Sequence, residues 1–149
     1  MMISKLFPDW NTYHFYDTCS LLLRAGNLFE NKDEHIVISS VTLDELENIK
    51  TSANKDPDIK YAARKLLHDL NEHHNYEIVI FTEDMLAPIV EKHLSITNDT
   101  KILASAIYYD CHCHPDDVTF ITNDLALKSI ANIFFGQDSI GSIDEEYED

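Results

Sequence analysis

The sequence predicts an α/β fold built on a mostly parallel sheet, and three observations predict it. Short β-rich apolar runs alternate with stretches of helical periodicity along most of the chain. Four acids, Asp17, Glu45, Asp99 and Asp124, stand where an apolar run gives way to a helical stretch. In a parallel sheet all such junctions share one edge, beyond the carboxyl ends of the strands, where ligands bind. The chain has 149 residues, 44% of them hydrophobic, enough for one domain with a sizeable core.

Each element has its own signal. Tyr13 to Asp17 reads as the first strand, followed by a helix through about Leu28 with Leu21, Leu22 and Leu23 turned inward. His35 to Ser39 is the second strand. Ser40 and Thr42 are both suitable N-caps for a helix carrying Glu45, Leu46 and Ile49. Thr51 to Asp58 is a polar connection, at whose end Asp56 caps a long helix with Pro57 in its first position. The stripe Ile59, Ala62, Ala63, Leu66, Leu67 and Leu70 follows helical spacing. Glu77 to Phe81 is a third strand, and Thr82 opens a helix to about Leu94 that Pro88 should bend. Asn98 is expected to cap a helix burying Ile102, Leu103, Ala106 and Ile107. Val118 to Thr122 is the fourth strand, Asn123 opens a helix through Ala131, and Ile133 to Phe135 form a last short strand. These elements place one domain in residues 1–137 and an acidic tail, expected to be disordered, in 138–149.

Composition limits the functions available. Eleven Lys and Arg stand against 27 Asp and Glu, a formal charge of −16. Six of the acids fall in the last twelve residues, and the rest of the chain still holds 21 acids against 11 bases. Two divalent cations would lower the remaining excess from −10 to about −6. Tight, nonspecific gripping of nucleic acid is thereby disfavoured, because phosphate contacts from a basic patch supply most of that affinity. No apolar run approaches the roughly 18 residues of a membrane span. Residues 1–11, with Lys5, Pro8 and Asp9, lack the apolar core of a signal peptide. Three cysteines do not make a disulfide framework. The expectation is a cytoplasmic protein with no membrane partner.

Taken singly, an Asp at a helix start satisfies free amides and complements the helix dipole. Taken together, four carboxylates in one crevice repel each other unless a cation neutralises them. Oxygen-only ligands of this kind suit Mg²⁺ or Mn²⁺. Lys50, Arg64 and Lys101 are the candidate phosphate contacts, against a stronger reading as solvated helix charges. Cys111-His112-Cys113-His114 reads as a helix-end loop rather than a zinc site, since adjacent ligands cannot all reach one tetrahedral ion. Cys19 is expected to be a small buried residue. Tyr13, Phe15, Tyr16, Tyr61, Tyr76, Phe81, Tyr108 and Tyr109 are assigned mostly to the core rather than to base stacking.

Phe15-Tyr16-Asp17-Thr18, Val41-Thr42-Leu43-Asp44-Glu45-Leu46, Asn98-Asp99-Thr100-Lys101-Ile102-Leu103-Ala104 and Phe120-Ile121-Thr122-Asn123-Asp124 resemble the four signature segments of PIN domains in order and spacing. The resemblance covers about residues 13–135. The helix with Ala63-Arg64-Lys65-Leu66-Leu67 is most similar to the PIN module of PhoH-like proteins, although no Gly-rich phosphate loop of an ATPase is present. The resemblance implies a three-layer α/β/α sandwich and a Mg²⁺- or Mn²⁺-dependent endonuclease acting on single-stranded RNA. Asp17, Glu45, Asp99 and Asp124 would be its catalytic and metal-binding set, with Thr18, Ser20, Asn98 and Thr122 orienting carboxylates or waters. Two positions depart from the pattern: Cys19 stands where many members have Asn, and Lys101 where many carry Arg. An acidic module that binds a basic protein partner, as antitoxins mask PIN toxins, is the alternative, and a homo-oligomer is allowed. A phosphatase or phosphoacceptor using Asp17 is disfavoured, because Cys19 replaces the second Asp of the usual Asp-x-Asp pair.

Overall fold

The computed structural model describes residues 12–113 and 117–143. Five strands, β1 (Tyr13–Tyr16), β2 (His35–Ser39), β3 (Tyr76–Val79), β4 (Val118–Ile121) and β5 (Ile140–Gly141), form one sheet in the order β3-β2-β1-β4-β5. Every pairing is parallel. The connecting helices are α1 (Thr18–Leu22), α2 (Ser40–Thr51), α3 (Pro57–Glu72), α4 (Ala87–Glu91), α5 (Asn98–Tyr108) and α6 (Leu125–Ala131).

Alternation along the strands sorts the core into two layers, as a sheet covered on both faces requires. Phe15, Val37, Val118 and Phe120 pack with Ile102, Leu103 and Ala106 of α5 and with Leu127 and Ala131 of α6. Tyr16, Ile36, Ile38 and Ile121 face the other way, onto Leu21, Leu46 and the Ala63, Leu66, Leu70 stripe of α3. The result is the expected α/β/α sandwich.

The second layer also holds a polar cluster with no signature in the sequence. Arg24, 4% exposed, sends Nη1 to Glu34 Oε1 at 3.2 Å and to the Tyr16 hydroxyl at 2.6 Å. Glu34, 3% exposed, also accepts from Tyr16 and lies 2.8 Å from His14 Nδ1. Burial alone would raise the Glu34 carboxyl, but the His14 hydrogen bond, the Arg24 charge and the Tyr16 hydroxyl outweigh it and hold the group below its ordinary value of 4.5.

Several boundaries differ from expectation for local reasons. The first helix ends at Leu22, and turns carry the chain on to Glu30. Ser39, not Ser40 or Thr42, caps α2, because its extended backbone lets Oγ accept from the Val41 amide. Ser40 instead accepts from the Phe81 amide. Thr97 and Thr100 form a reciprocal capping box on α5, which makes Asn98 the first helical residue. Pro88 sits in the first turn of α4, after a 3₁₀ turn over Glu83–Leu86, so it helps start a helix rather than bend one. Residues 133–135 are no strand: the Ile133, Phe134 and Phe135 amides close turns onto Ile130 and Ala131. The fifth strand lies in the segment assigned to the tail, where Ile140 pairs with Phe120 and the Asn123 side chain bonds both backbone groups of Ile143. Residues 144–149 lie outside the described residues. Tyr61 is 62% exposed on α3 and Ile59 43%, so neither belongs to the core.

Candidate active site

The strand order places a topological switch between β1 and β4. From β1 the chain builds outward through β2 and β3, then returns to lay β4 on the other side of β1. A crevice opens at the carboxyl end of such a point, and Asp17 directly follows β1 there. Its amide donates to Ile121 O at the end of β4. The Asp17 carboxylate caps α1, with Oδ1 accepting from the Ser20 amide at 2.8 Å and from the Ser20 hydroxyl. Thr122 Oγ1 donates to the other oxygen, Oδ2, at 2.6 Å. Both oxygens are therefore fixed in direction, and the residue is 3% exposed.

Glu45 reaches the same edge from the second turn of α2. Its Oε1 accepts from Thr18 Oγ1 at 2.5 Å, and Asn98 Nδ2 approaches Oε2 at 3.3 Å. Thr42, buried beneath, stands 3.2 Å from the Thr18 hydroxyl. Asp124 caps α6 through Oδ1, which takes the Ala126 and Leu127 amides at 2.9 and 3.2 Å. The Asp124 amide itself donates to Thr122 Oγ1. Asp99, in the first turn of α5, has no hydrogen bond or ion pair among the described residues.

Electrostatics brings the four together. Desolvation, followed by the charges of Glu45, Asp17 and Asp124, pushes the Asp99 carboxyl above its ordinary range. Desolvation and the same four acids raise the Cys19 thiol. No basic side chain is among the causes of either shift. In donor chemistry the set fits a hard divalent cation, with oxygens only and net negative charge. In spacing, no three acidic, imidazole or thiol groups among the described residues stand close enough to enclose an ion. The carboxylates would have to draw together around one.

An open groove of about 400 Å³ adjoins Glu45 and Asp99. Cys19 and Leu22 of α1 line one part of it, and Asn48, Ile49 and Ser52 of α2 another. Lys55, from the connection between α2 and α3, is the base that reaches it. Cys19 is exposed here, which corrects its assignment to the core: the residue after Thr18 falls on the outer face of α1. The three bases named from the sequence lie elsewhere. Lys50 pairs with Glu47 at 3.0 Å, Arg64 is exposed on α3, and Lys101 Nζ stands 5.8 Å above the Phe81 ring. Lys55 lies in the polar connection and Asn48 on an exposed face of α2, and neither carries a motif that would single it out in the sequence. At the far end of α5, His112 stacks on Tyr108 and its Nδ1 lies 3.2 Å from Tyr108 O. Cys111 is a free, exposed thiol, and the Cys113 side chain and His114 lie outside the described residues.

Three comparisons bear on this geometry. A family model described as a PIN domain matches residues 15–134. No curated protein matches the chain. Two solved structures share the fold, each with a TM-score of 0.53. VapBC2 from Rickettsia felis, bound to a DNA fragment from its promoter, is 19% identical over 89% of this chain and 100% of that one. VapBC-5 from Mycobacterium tuberculosis, a member of the VapBC family of toxin-antitoxin systems, is 20% identical over 89% of this chain and 98% of that one.

Proposed function

Because the chain belongs to the PIN-domain family, we propose that it is a divalent-metal-dependent nuclease that cuts single-stranded RNA internally, in the cytoplasm. The observation that supports this reading is that Asp17, Glu45, Asp99 and Asp124 all follow or lie near the carboxyl ends of the strands, with the charges of the other three among the causes that raise the Asp99 carboxyl and no base among them. Asp17, Glu45, Asp99 and Asp124 would hold Mg²⁺ or Mn²⁺. When bound, the ion polarises the phosphodiester, eases deprotonation of the attacking water and offsets charge on the leaving oxygen.

The chain's own residues supply orientation. Ser20 and Thr122 each hold one of the two Asp17 oxygens, and Thr18 and Asn98 do the same for Glu45. Hydrogen bonds of this kind fix the direction of ligand lone pairs, and removing one typically costs about 10–100-fold in affinity or activity. The finer kinship, with the PIN module of PhoH-like proteins, rests on the long α3 helix after its polar connection.

Metal uptake is the direct test. Titration with Mn²⁺ should raise the melting temperature of the wild type, by about 2.7 kcal/mol of stability at a hundredfold excess over Kd. Asp99→Asn should lose most of that shift. In EDTA the same variant should melt above the wild type, because one of four mutually repelling charges is gone. Equal Mn²⁺ shifts in the two proteins would rule out this site.

A second reading is favoured by the unpaired acids themselves. A basic protein segment laid over Asp99 and Glu45 would neutralise them as a cation does, and would mask the site. The VapBC kinship in fold makes an antitoxin-like partner the natural candidate. Salt-sensitive co-purification with a basic protein, together with no cleavage of any RNA, would select this reading.

A further inference from the structure

We propose that the groove beside Glu45 and Asp99 is a nucleotide subsite, with the Leu22–Ile49 floor under the base, Asn48 at the base edge and Lys55 on the next phosphate. The inference rests on the nuclease reading and names how that site takes hold of its substrate. Size comes first: about 400 Å³ lies within the range of about 300–1,000 Å³ typical of small-ligand pockets. Polarity comes second. The acids in its lining repel a phosphate unless a cation intervenes, whereas Lys55 attracts one. A nucleotide carries a phosphate on each side of its sugar, and the lining of this groove includes the acids Glu45 and Asp99, the base Lys55 and the apolar side chains Leu22 and Ile49. Leu22 and Ile49 offer a base aliphatic surface to bury, a contact without sequence preference.

Availability comes third. Lys50 and Lys65 are committed to Glu47 and Asp69. Lys55 forms no ion pair among the described residues, and its acidic neighbour Asp56 is occupied in capping α3 through the Asp58 amide at 2.7 Å. The Asn48 side chain is exposed, and its carboxamide offers a donor and an acceptor side by side. In a chain with so large an acidic excess, a base with no ion pair on the groove that Glu45 and Asp99 also line favours one path for the strand.

The test uses the full chain with Mg²⁺ and a 2′-O-methyl single-stranded tetranucleotide, which binds without being cut. Lys55→Glu should weaken binding about tenfold or more, Lys55→Arg should keep it, and the salt dependence of log K should flatten by about one phosphate contact, a slope of roughly 0.7 for single strands. Lys65→Glu makes the same charge change outside the groove and should leave affinity within about twofold. On a cleavable RNA, Lys55→Glu should raise KM and leave kcat near the wild-type value, the mark of uniform binding. Lys55 is exposed in a connection, so its variants should melt with the wild type. If Lys55→Glu and Lys65→Glu bind alike, the subsite is wrong while the nuclease reading stands. If Asp99→Asn cleaves as well as the wild type, the nuclease reading falls and the subsite falls with it.

Discussion

Asn in place of Asp17, Asp99 or Asp124 is expected to reduce metal-dependent RNA cleavage about a thousandfold, with each variant still folded. The estimate follows from the roughly 4 kcal/mol of transition-state stabilisation that a correctly held cation supplies, at about 1.4 kcal/mol per tenfold. Asn keeps the shape of Asp but removes the charge, so ion binding and water activation are lost together. At position 17 it also turns an acceptor-only group into one with a donor, facing the Thr122 hydroxyl or the Ser20 amide. The assay is cleavage of a mixed-sequence single-stranded RNA with Mn²⁺ or Mg²⁺, stopped by EDTA. Cleavage that persists in EDTA and in all three variants would come from a contaminant. Loss of activity with Mn²⁺ binding intact would move the acids from metal ligands to some other role.

The largest effect on stability is expected at Glu34, outside the four-acid set. Glu34→Ala should destabilise the fold by about 3–5 kcal/mol, because it leaves the Arg24 guanidinium buried without its counter-charge. For a chain of this size that is a fall of about 10 °C in melting temperature. Glu34→Gln should cost less, since its amide oxygen can still accept from Tyr16 and His14. The pH dependence has a definite sign. The Glu34 carboxyl is held below its ordinary value of 4.5 in the fold, so its contribution is complete above that ordinary value and is lost as pH falls through the lower folded one. Urea unfolding of wild type and Glu34→Gln at several pH values checks this. The gap between them should narrow on acidification, and a gap that widened would contradict the assignment.

Much of this molecule was legible before any coordinates, for reasons that particular residues show. Val37, Phe120 and, on α3, Ala63, Leu66 and Leu70 bury the faces their periodicity assigns, because hydrophobic alternation and helical spacing are local properties, while Ile59 at the helix start stays exposed. Asp56-Pro57 opens α3 as expected, since cap and first-turn chemistry need only neighbouring residues. Harder cases were decided by competition between neighbours. Thr97 outbids Asn98 at α5 through its pairing with Thr100, and Ser39 outbids Ser40 because Ser40 is drawn to Phe81. Strand β5 escaped notice because two residues carry no period.

The sequence by itself determined the layers, the parallel sheet and the junctions where the acids stand, since these follow from short-range patterns repeated along the chain. Only the tertiary structure decided the rest. Strand order, which brings Asp17 beside Thr122 across 105 residues, depends on contacts that no local window contains. The same is true of the Arg24–Glu34 cluster and of Lys55 on the groove that Glu45 and Asp99 line. Exposed Cys19 makes the point at one residue: its composition favours burial, and a helix of five residues turned it outward. Periodicity specifies which face of an element is apolar, whereas long-range packing specifies which polar side chains meet.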